Sequence, residues 1–529
     1  MRHTRVQSLR RPLLGALVCA LLASSADANL LAPLSLTDRG LVRGTATETM
    51  NIFRGIPYAA PPVGPLRWQP PQPAKFWRGV RDASQFAGHC AQPPSPFGVA
   101  TTNEDCLYLN VYTPRPRFGR RLDGFVHPVM VWIHGGALFL GESDDYDPSR
   151  LVEQGVVVVT INYRLGLPGF LAHPALTAES SYGGSGDYGI QDQQAALRWV
   201  KRNILFFGGD PRNITIFGES AGGLSVNTHL ASPLSAGLFD QAVSQSGAYA
   251  LTNAPLAAAE TAGTSFATAA GCPDQTLACL RALPVEALLA VQGAGGFVPN
   301  LDNHVLTQTL KASFTSGDFN RVPVIEGSNH DEWRLFVALN QELVSGPLTP
   351  AQYPGAIAAT LRIPLAQANA IAAFVYPLAA YPSPSVALGA LGTDAIFACN
   401  ARTASGLISQ FAPAFAYEFN DPNAPQRFLP PVSFPYGAYH AAELQYLFEM
   451  NAPIPSPGFS PDQQALADTM VQYWTNFAKR GDPNGAEPPT WPGYTVASDQ
   501  HQSLVPAGAA PITTFGADHK CSFWVPLLP

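Results

Sequence analysis

Three runs of the chain are apolar on both faces: Val129 to Ile133, Val156 to Tyr163 and Ile214 to Phe217 are short and rich in β-branched residues. Such runs predict strands of a parallel sheet covered by helices. Between the second and third, Gly189 to Phe206 carries apolar residues at helical spacing, among them Ala195, Ala196, Trp199, Val200 and Ile204, and predicts a crossover helix. The fold class is α/β, with a large, mostly parallel central sheet flanked by helices. Roughly the last 300 residues are less periodic and rich in Pro, Ala and Gly, which predicts long insertions building one side of a cleft. No linker, charge block or internal repeat divides the chain, and its 50 prolines are dispersed. A single domain over residues 29–529 is therefore expected, although length alone suggests two to four.

The third run continues into Gly218-Glu-Ser-Ala-Gly222 and then a segment, Ala221 to Ala231, that can start a helix before Pro233. A strand turning sharply into a helix strains its corner residue and crowds the positions two before and two after it, where only glycine fits. Ser220 is the expected nucleophile, with its Oγ lifted clear of the turn. The free N–H groups at the helix start, Ala221 first, would face a developing oxyanion. The first run ends in Trp132-Ile-His-Gly-Gly-Ala-Leu138, where consecutive glycines let backbone N–H groups approach a substrate; Gly135 and Gly136 are assigned to the same oxyanion hole.

Met1 to Ala28 carries Arg2, Arg5, Arg10 and Arg11, an apolar run from Leu13 to Leu22, and Ala26-Asp-Ala28, the pattern of a secretory signal peptide. The apolar run is too short to span a bilayer, and Val18 before Cys19 does not fit a lipidation signal, so no stable membrane anchor is expected. Loss of the leader removes a net +3, taking the formal charge from −7 to −10. An acidic surface disfavours nucleic acid and anionic membranes. The expected location is periplasmic or secreted. Six cysteines remain, an even number that suggests three disulfides in an exported protein. No pair has C-x₂-C spacing and no histidine cluster exists in the sequence, so a metal site is not expected.

Several motifs together resemble the type-B carboxylesterases, the family of cholinesterases and bacterial para-nitrobenzyl esterases. They are Phe53-Arg-Gly-Ile-Pro-Tyr58, Glu104-Asp-Cys-Leu-Tyr-Leu-Asn110, Asn162-Tyr-Arg-Leu-Gly166, Phe207-Gly-Gly-Asp-Pro211, Gly218 to Gly223 and Gln245-Ser-Gly247, and the likeness runs nearly end to end. The resemblance implies an α/β-hydrolase fold, no cofactor, a small-molecule ester substrate and a Ser, Glu, His triad in that chain order. By position in Val322-Pro-Val-Ile-Glu-Gly-Ser-Asn-His-Asp-Glu-Trp333, Glu332 is the acid that orients the histidine, and neighbouring Asp331 points elsewhere. Trp333 stands where the family usually has glycine. His440, in Gly437-Ala-Tyr-His-Ala-Ala-Glu-Leu444, is the base; His134 belongs to the oxyanion turn, and His501 and His519 lie in polar tail segments. Glu219 and Ser246 are implied near His440. The pairing implied is Cys90 with Cys106, Cys272 with Cys279 and Cys399 with Cys521.

The family also contains adhesion proteins lacking part of the triad, and the same triad could serve a lyase or acyltransferase; a complete Ser220, Glu332, His440 set speaks against the first. Between Cys90 and Cys106 the only large aromatic is Phe97, so no choline selectivity is expected. Gly293 and Gly295 align with a segment that narrows the acyl pocket in relatives and would leave it open. Gly135-Gly-Ala-Leu138 resembles the turn of members that accept esters of bulky alcohols. Neutral, fairly bulky or aromatic esters are the expected substrates. The oligomeric state is not legible.

Overall fold

The structure is a computed structural model that describes residues 32–115, 126–293 and 297–527; the leader and Gly295 lie outside the described residues. A mixed sheet of eleven strands carries the fold. In chain order these are β1 (Thr45–Ala46), β2 (Met50–Pro57), β3 (Tyr108–Pro114), β4 (His127–Ile133), β5 (Val157–Ile161), β6 (Gly209–Glu219), β7 (Gln241–Gln245), β8 (Val324–Asn329), β9 (Ala414–Phe419), β10 (His501–Leu504) and β11 (Ala510–Ile512). Side by side they run β11-β10-β9-β8-β7-β6-β4-β5-β3-β2-β1. From β5 to β10 all neighbours are parallel. The edges, β3 to β1 on one side and β11 on the other, are antiparallel.

The two-residue period of the strands explains why both faces are apolar. Val129, Val131 and Ile133 point into one core together with Ile214 and Ile216, while Met130, Trp132 and Phe217 point into the other. The first core is covered by α1 (Tyr188–Asn203), the expected crossover helix, and by α2 (Ala221–Ala231). The second is covered by α3 (Pro461–Arg480), which Ser460 and Gln463 start with reciprocal side-chain and backbone bonds and Gly481 ends in a left-handed turn. Trp474 of α3 is fully buried there. Its ring N–H donates to Gln245 Oε1 at 3.0 Å, so this helix also reaches the end of β7.

Disulfides join Cys90 to Cys106, Cys272 to Cys279 and Cys399 to Cys521. The third ties the C-terminal segment to the helix Cys399–Ile408. The expectation that His501 and His519 lie in polar tail segments is wrong. His501 is buried on β10 and stacks on Phe515, and His519 bridges Asp394 Oδ1 at 2.7 Å and Glu418 Oε1 at 2.8 Å. The segment after β10 packs back onto the core, and burial in turn requires its polar groups to be paired. Cys399 and Cys521 are 122 residues apart, so replacing both with alanine is expected to cost about 4–5 kcal/mol in the chain-entropy picture. A fall in Tm, with early proteolytic cleavage after residue 500, would report it; an unchanged Tm would refute it.

Candidate active site

The carboxyl ends of β4, β6, β7 and β8 lie side by side, the edge at which open α/β sheets build their sites. At the end of β6 the chain turns into α2 through Ser220, whose φ of 56° and ψ of −120° are a strained conformation for a serine. Its N–H donates to Gln245 O at 2.8 Å and its carbonyl accepts from Leu224 N at 2.8 Å, which hold the corner from both sides. The flanking glycines are sterically required. A Cβ on Gly222 would stand 1.9 Å from Ile133 O, and one on Gly218 2.6 Å from the Gly222 carbonyl carbon.

The turn after β4 lies directly against this corner. A Cβ on Gly135 would come within 3.1 Å of Ser220 Cβ and 2.9 Å of the Glu219 carbonyl oxygen. Gly136 has φ +100°, and Ala137 and Leu138 follow at 52° and 60°. Leu140 N and Phe139 N donate to Gly136 O, closing the turn, and Tyr163 Oη donates to His134 O at 2.8 Å. Among the described residues no acceptor meets the N–H of Gly135 or Gly136. The N–H of Ala221, first in α2, has no partner within its helix. His134 is buried against Tyr163, and burial lowers its pKa to about 4, so it stays neutral.

Glu332 follows β8, and His440 arrives 108 residues later on a loop. His440 Nδ1 and Glu332 Oε2 are 2.5 Å apart. The other oxygen of Glu332 accepts from Ser246 Oγ at 2.5 Å and from Asn329 N at 2.7 Å. Both carboxylate oxygens are thus occupied in a fully buried position, so the acid can neither rotate nor reach water. Asp331 points the other way: it pairs with Arg334 at 2.9 Å and accepts from Ala438 N at 3.0 Å, holding the histidine loop in place. Burial opposes ionisation of Asp331, but His330, Arg334 and the Ala438 N–H outweigh it and keep its pKa below the ordinary value. Ala441, directly after His440, has a left-handed φ of 68°.

The other ring nitrogen of His440 faces a carboxylate. Nε2 lies 3.2 Å from Glu219 Oε1, and among the described residues no hydrogen bond joins Nε2 to Ser220 Oγ in this resting arrangement. Burial alone would strip the imidazole of its proton, yet Glu219, Glu332 and Glu443 outweigh it and raise its pKa above the ordinary histidine value. Burial, with Glu443 and Glu332 behind it, pushes the Glu219 carboxyl well above its ordinary range. Glu219 Oε1 is buried with no hydrogen-bond partner among the described residues, so it acts on the imidazole through its charge and leaves Nε2 free to take a proton.

Two sets of residues here escaped sequence reasoning. Glu443 is fully buried and accepts from Gln245 Nε2 at 3.1 Å and Asn329 Nδ2 at 2.6 Å, joining the histidine loop to the ends of β7 and β8. The rings of Phe336 and Phe397 flank His440 at 5.0 and 4.9 Å and form an apolar wall. Phe336 stands one helical turn after Glu332, a spacing that could have flagged it. Gly293, by contrast, is exposed, with open space around it. Trp333 is accommodated by a glycine: its indole lies where a Cβ on Gly392 would be 2.1 Å away, and its backbone N–H donates to Thr393 Oγ1 at 3.0 Å.

Residues 32–524 match the sequence model of the family described as "Carboxylesterase family". The chain is 32% identical to a cocaine esterase of Oryctolagus cuniculus, over 94% of this chain and 96% of the relative. It is 33% identical to an acylcarnitine hydrolase of Mus musculus, over 87% and 85%. It is 34% identical to the para-nitrobenzyl esterase of Bacillus subtilis, over 87% and 92%.

Proposed function

Since the chain belongs to the carboxylesterase family and is a serine-type hydrolase of carboxylic esters, we propose that Ser220 is its nucleophile, His440 its base and Glu332 the acid that orients the base. The observation that carries this reading is the buried Glu332–His440 contact of 2.5 Å beside the strained serine corner. A small movement of His440 Nε2 from Glu219 toward Ser220 Oγ starts the reaction. The imidazole accepts the hydroxyl proton as Oγ attacks the ester carbonyl, and the N–H groups of Gly135, Gly136 and Ala221 receive the oxyanion. The imidazolium, favoured by Glu332, Glu219 and Glu443, then protonates the leaving alcohol; water, activated by the same histidine, releases the acid. Ser246 acts on Glu332, and Glu219 on the imidazolium. A binding relative without activity is not favoured, because no member of the set is missing.

For substrate, neutral and fairly bulky or aromatic esters are supported by three features. The relatives named above include hydrolases named for cocaine and for para-nitrobenzyl esters. The turn Gly135-Gly-Ala-Leu138 resembles that of family members that accept esters of bulky alcohols. On the other side of His440, Phe336 and Phe397 offer apolar contact to an acyl chain, and beyond Phe397 a cavity of about 350 Å³ is lined by Tyr249, Leu251, Leu361, Ile371, Ile396 and Trp524. Three disulfides are compatible with a secreted protein, which supports export under the leader reading.

The test is a panel of p-nitrophenyl esters from acetyl to octanoyl. Because an added methylene in an apolar pocket is worth about 1–3 kcal/mol, kcat/KM should rise in graded steps to butyryl or beyond. A maximum at acetyl, or a strong preference for choline over an uncharged alcohol of equal size, would overturn the substrate reading.

A further inference from the structure

β8 carries a carboxylate where a buried strand should be apolar. The residues just before it along the strand, Val324 and Ile325, pack into the two cores, but Glu326 lies fully buried beside them. It faces α2. Its Oε2 accepts from Asn227 Nδ2 of α2 at 3.1 Å, and its Oε1 accepts from Ser244 Oγ of β7, the residue opposite it in register, at 3.1 Å. Asn227 Nδ2 also reaches Ser244 Oγ at 3.0 Å, and Ser244 Oγ lies 3.3 Å from Gly223 O in the first turn of α2. One polar cluster therefore fastens the nucleophile helix to β7 and β8 directly behind the serine corner.

From this geometry we infer that Glu326 is a positioning residue for Ser220, bracing the first turns of α2 through Asn227 and Ser244. The inference rests on Ser220 as the nucleophile. The coupling to the reacting atoms is short. Ser244 precedes Gln245, whose carbonyl holds the Ser220 N–H, and Gly223 follows Ala221 and Gly222 in the turn that presents the oxyanion donor. Contact on that side is already tight: a Cβ on Gly223 would meet Gln245 O at 2.7 Å and Gly247 Cα at 2.8 Å. A shift of α2 relative to β7 thus moves Oγ and the Ala221 N–H together.

The acid, rather than a carboxylate, suits this place. Among the described residues no cation bonds to Glu326; burial pushes its pKa up to about 8, with Asn227 and Ser244 pulling the other way, and the phenol of Tyr417 on β9 is a titratable group that senses its charge. Neutral Glu326 has a proton to give, and Ser244 Oγ, whose own hydrogen reaches Gly223 O, can receive it from Oε1 while Oε2 goes on accepting from Asn227 Nδ2. Glutamine supplies the same pair of groups, one donating to Ser244 and one accepting from Asn227, without being ionisable.

The experiment measures the rate at which an organophosphate labels Ser220, located by peptide mapping, together with kcat and KM, in Glu326→Gln and Glu326→Leu well below each variant's Tm. Glu326→Leu is expected to slow labelling and lower kcat about tenfold with KM little changed, as a misplaced nucleophile does, and Glu326→Gln to recover most of that loss. Labelling of the Leu variant at the parental rate, or a Gln variant as slow as the Leu variant, overturns the inference. If the Leu variant does not fold, Ser244→Ala serves instead, with slowed labelling expected and parental labelling overturning. Failure of the nucleophile reading looks different, since the parent protein itself would carry no label at residue 220.

Discussion

Alanine at Ser220 is expected to lower kcat by at least ~10³-fold with Tm near the parental value. The size follows from what is lost and what stays. In the proposed mechanism Oγ is the atom that forms the acyl bond, and nothing adjacent can replace it, since Gly218, Gly222 and Gly135 surround it with backbone. The oxyanion donors remain, which is why activity should fall to a residue rather than to nothing. Stability should hardly change, because among the described residues Oγ makes no hydrogen bond and the corner is fixed by backbone bonds to Gln245 and Leu224. Relief of the strained φ could even raise Tm slightly for glycine at this position. Normal turnover by the alanine variant would sink the assignment.

Changing Glu332 to glutamine should be nearly as severe, ~10³ to 10⁴-fold in kcat, while Asp331 to asparagine should cost less than ~10-fold. Glu332 accepts on both oxygens, from His440 on one side and from Ser246 and Asn329 on the other. A glutamine amide must turn its NH₂ toward one side or the other. Toward His440, it forces the imidazole into the tautomer with the proton on Nε2, which cannot take one from serine. Toward Ser246 and Asn329, it sets donor against donor in a fully buried place. Asp331→Asn loosens the Ala438 and Arg334 contacts and should register chiefly as a lower Tm. Steady-state kinetics on the two variants decide the matter, and the reverse ranking would move the acid's role to Asp331.

The parts of this molecule that were legible in its sequence are those in which local sterics dictate the residue. The serine corner needs glycines two positions away on either side, and buried parallel strands need apolar side chains on both faces, so Ser220, Gly135 and Gly136 and the central strands could be read directly. Glu332 and His440 became legible only through resemblance, because nothing local distinguishes a base from any other histidine. What stayed hidden depends on pairs distant in the chain. Glu443 meets Gln245 across 198 residues, and His519 meets Glu418 across 101. A polar-looking tail such as the one holding His519 reads as exposed until the partners that allow its burial are known. Glu326 was visible inside an apolar run, but its purpose depends on Asn227 and Ser244 arriving from two other elements.

The indole of Trp333 and the bare Cα of Gly392 fill one space between them, and this orders the history open to the pair. A side chain at 392 would collide with the ring at 2.1 Å, so tryptophan could enter at 333 only in an ancestor that already had glycine at 392. Starting from glycine at 333, the first accepted change must be the silent one, and the reverse journey must begin with the loss of the tryptophan. Phe336 and Phe397 pack on the same indole and also flank His440, so each step along that route would be felt by the base as well as by the fold.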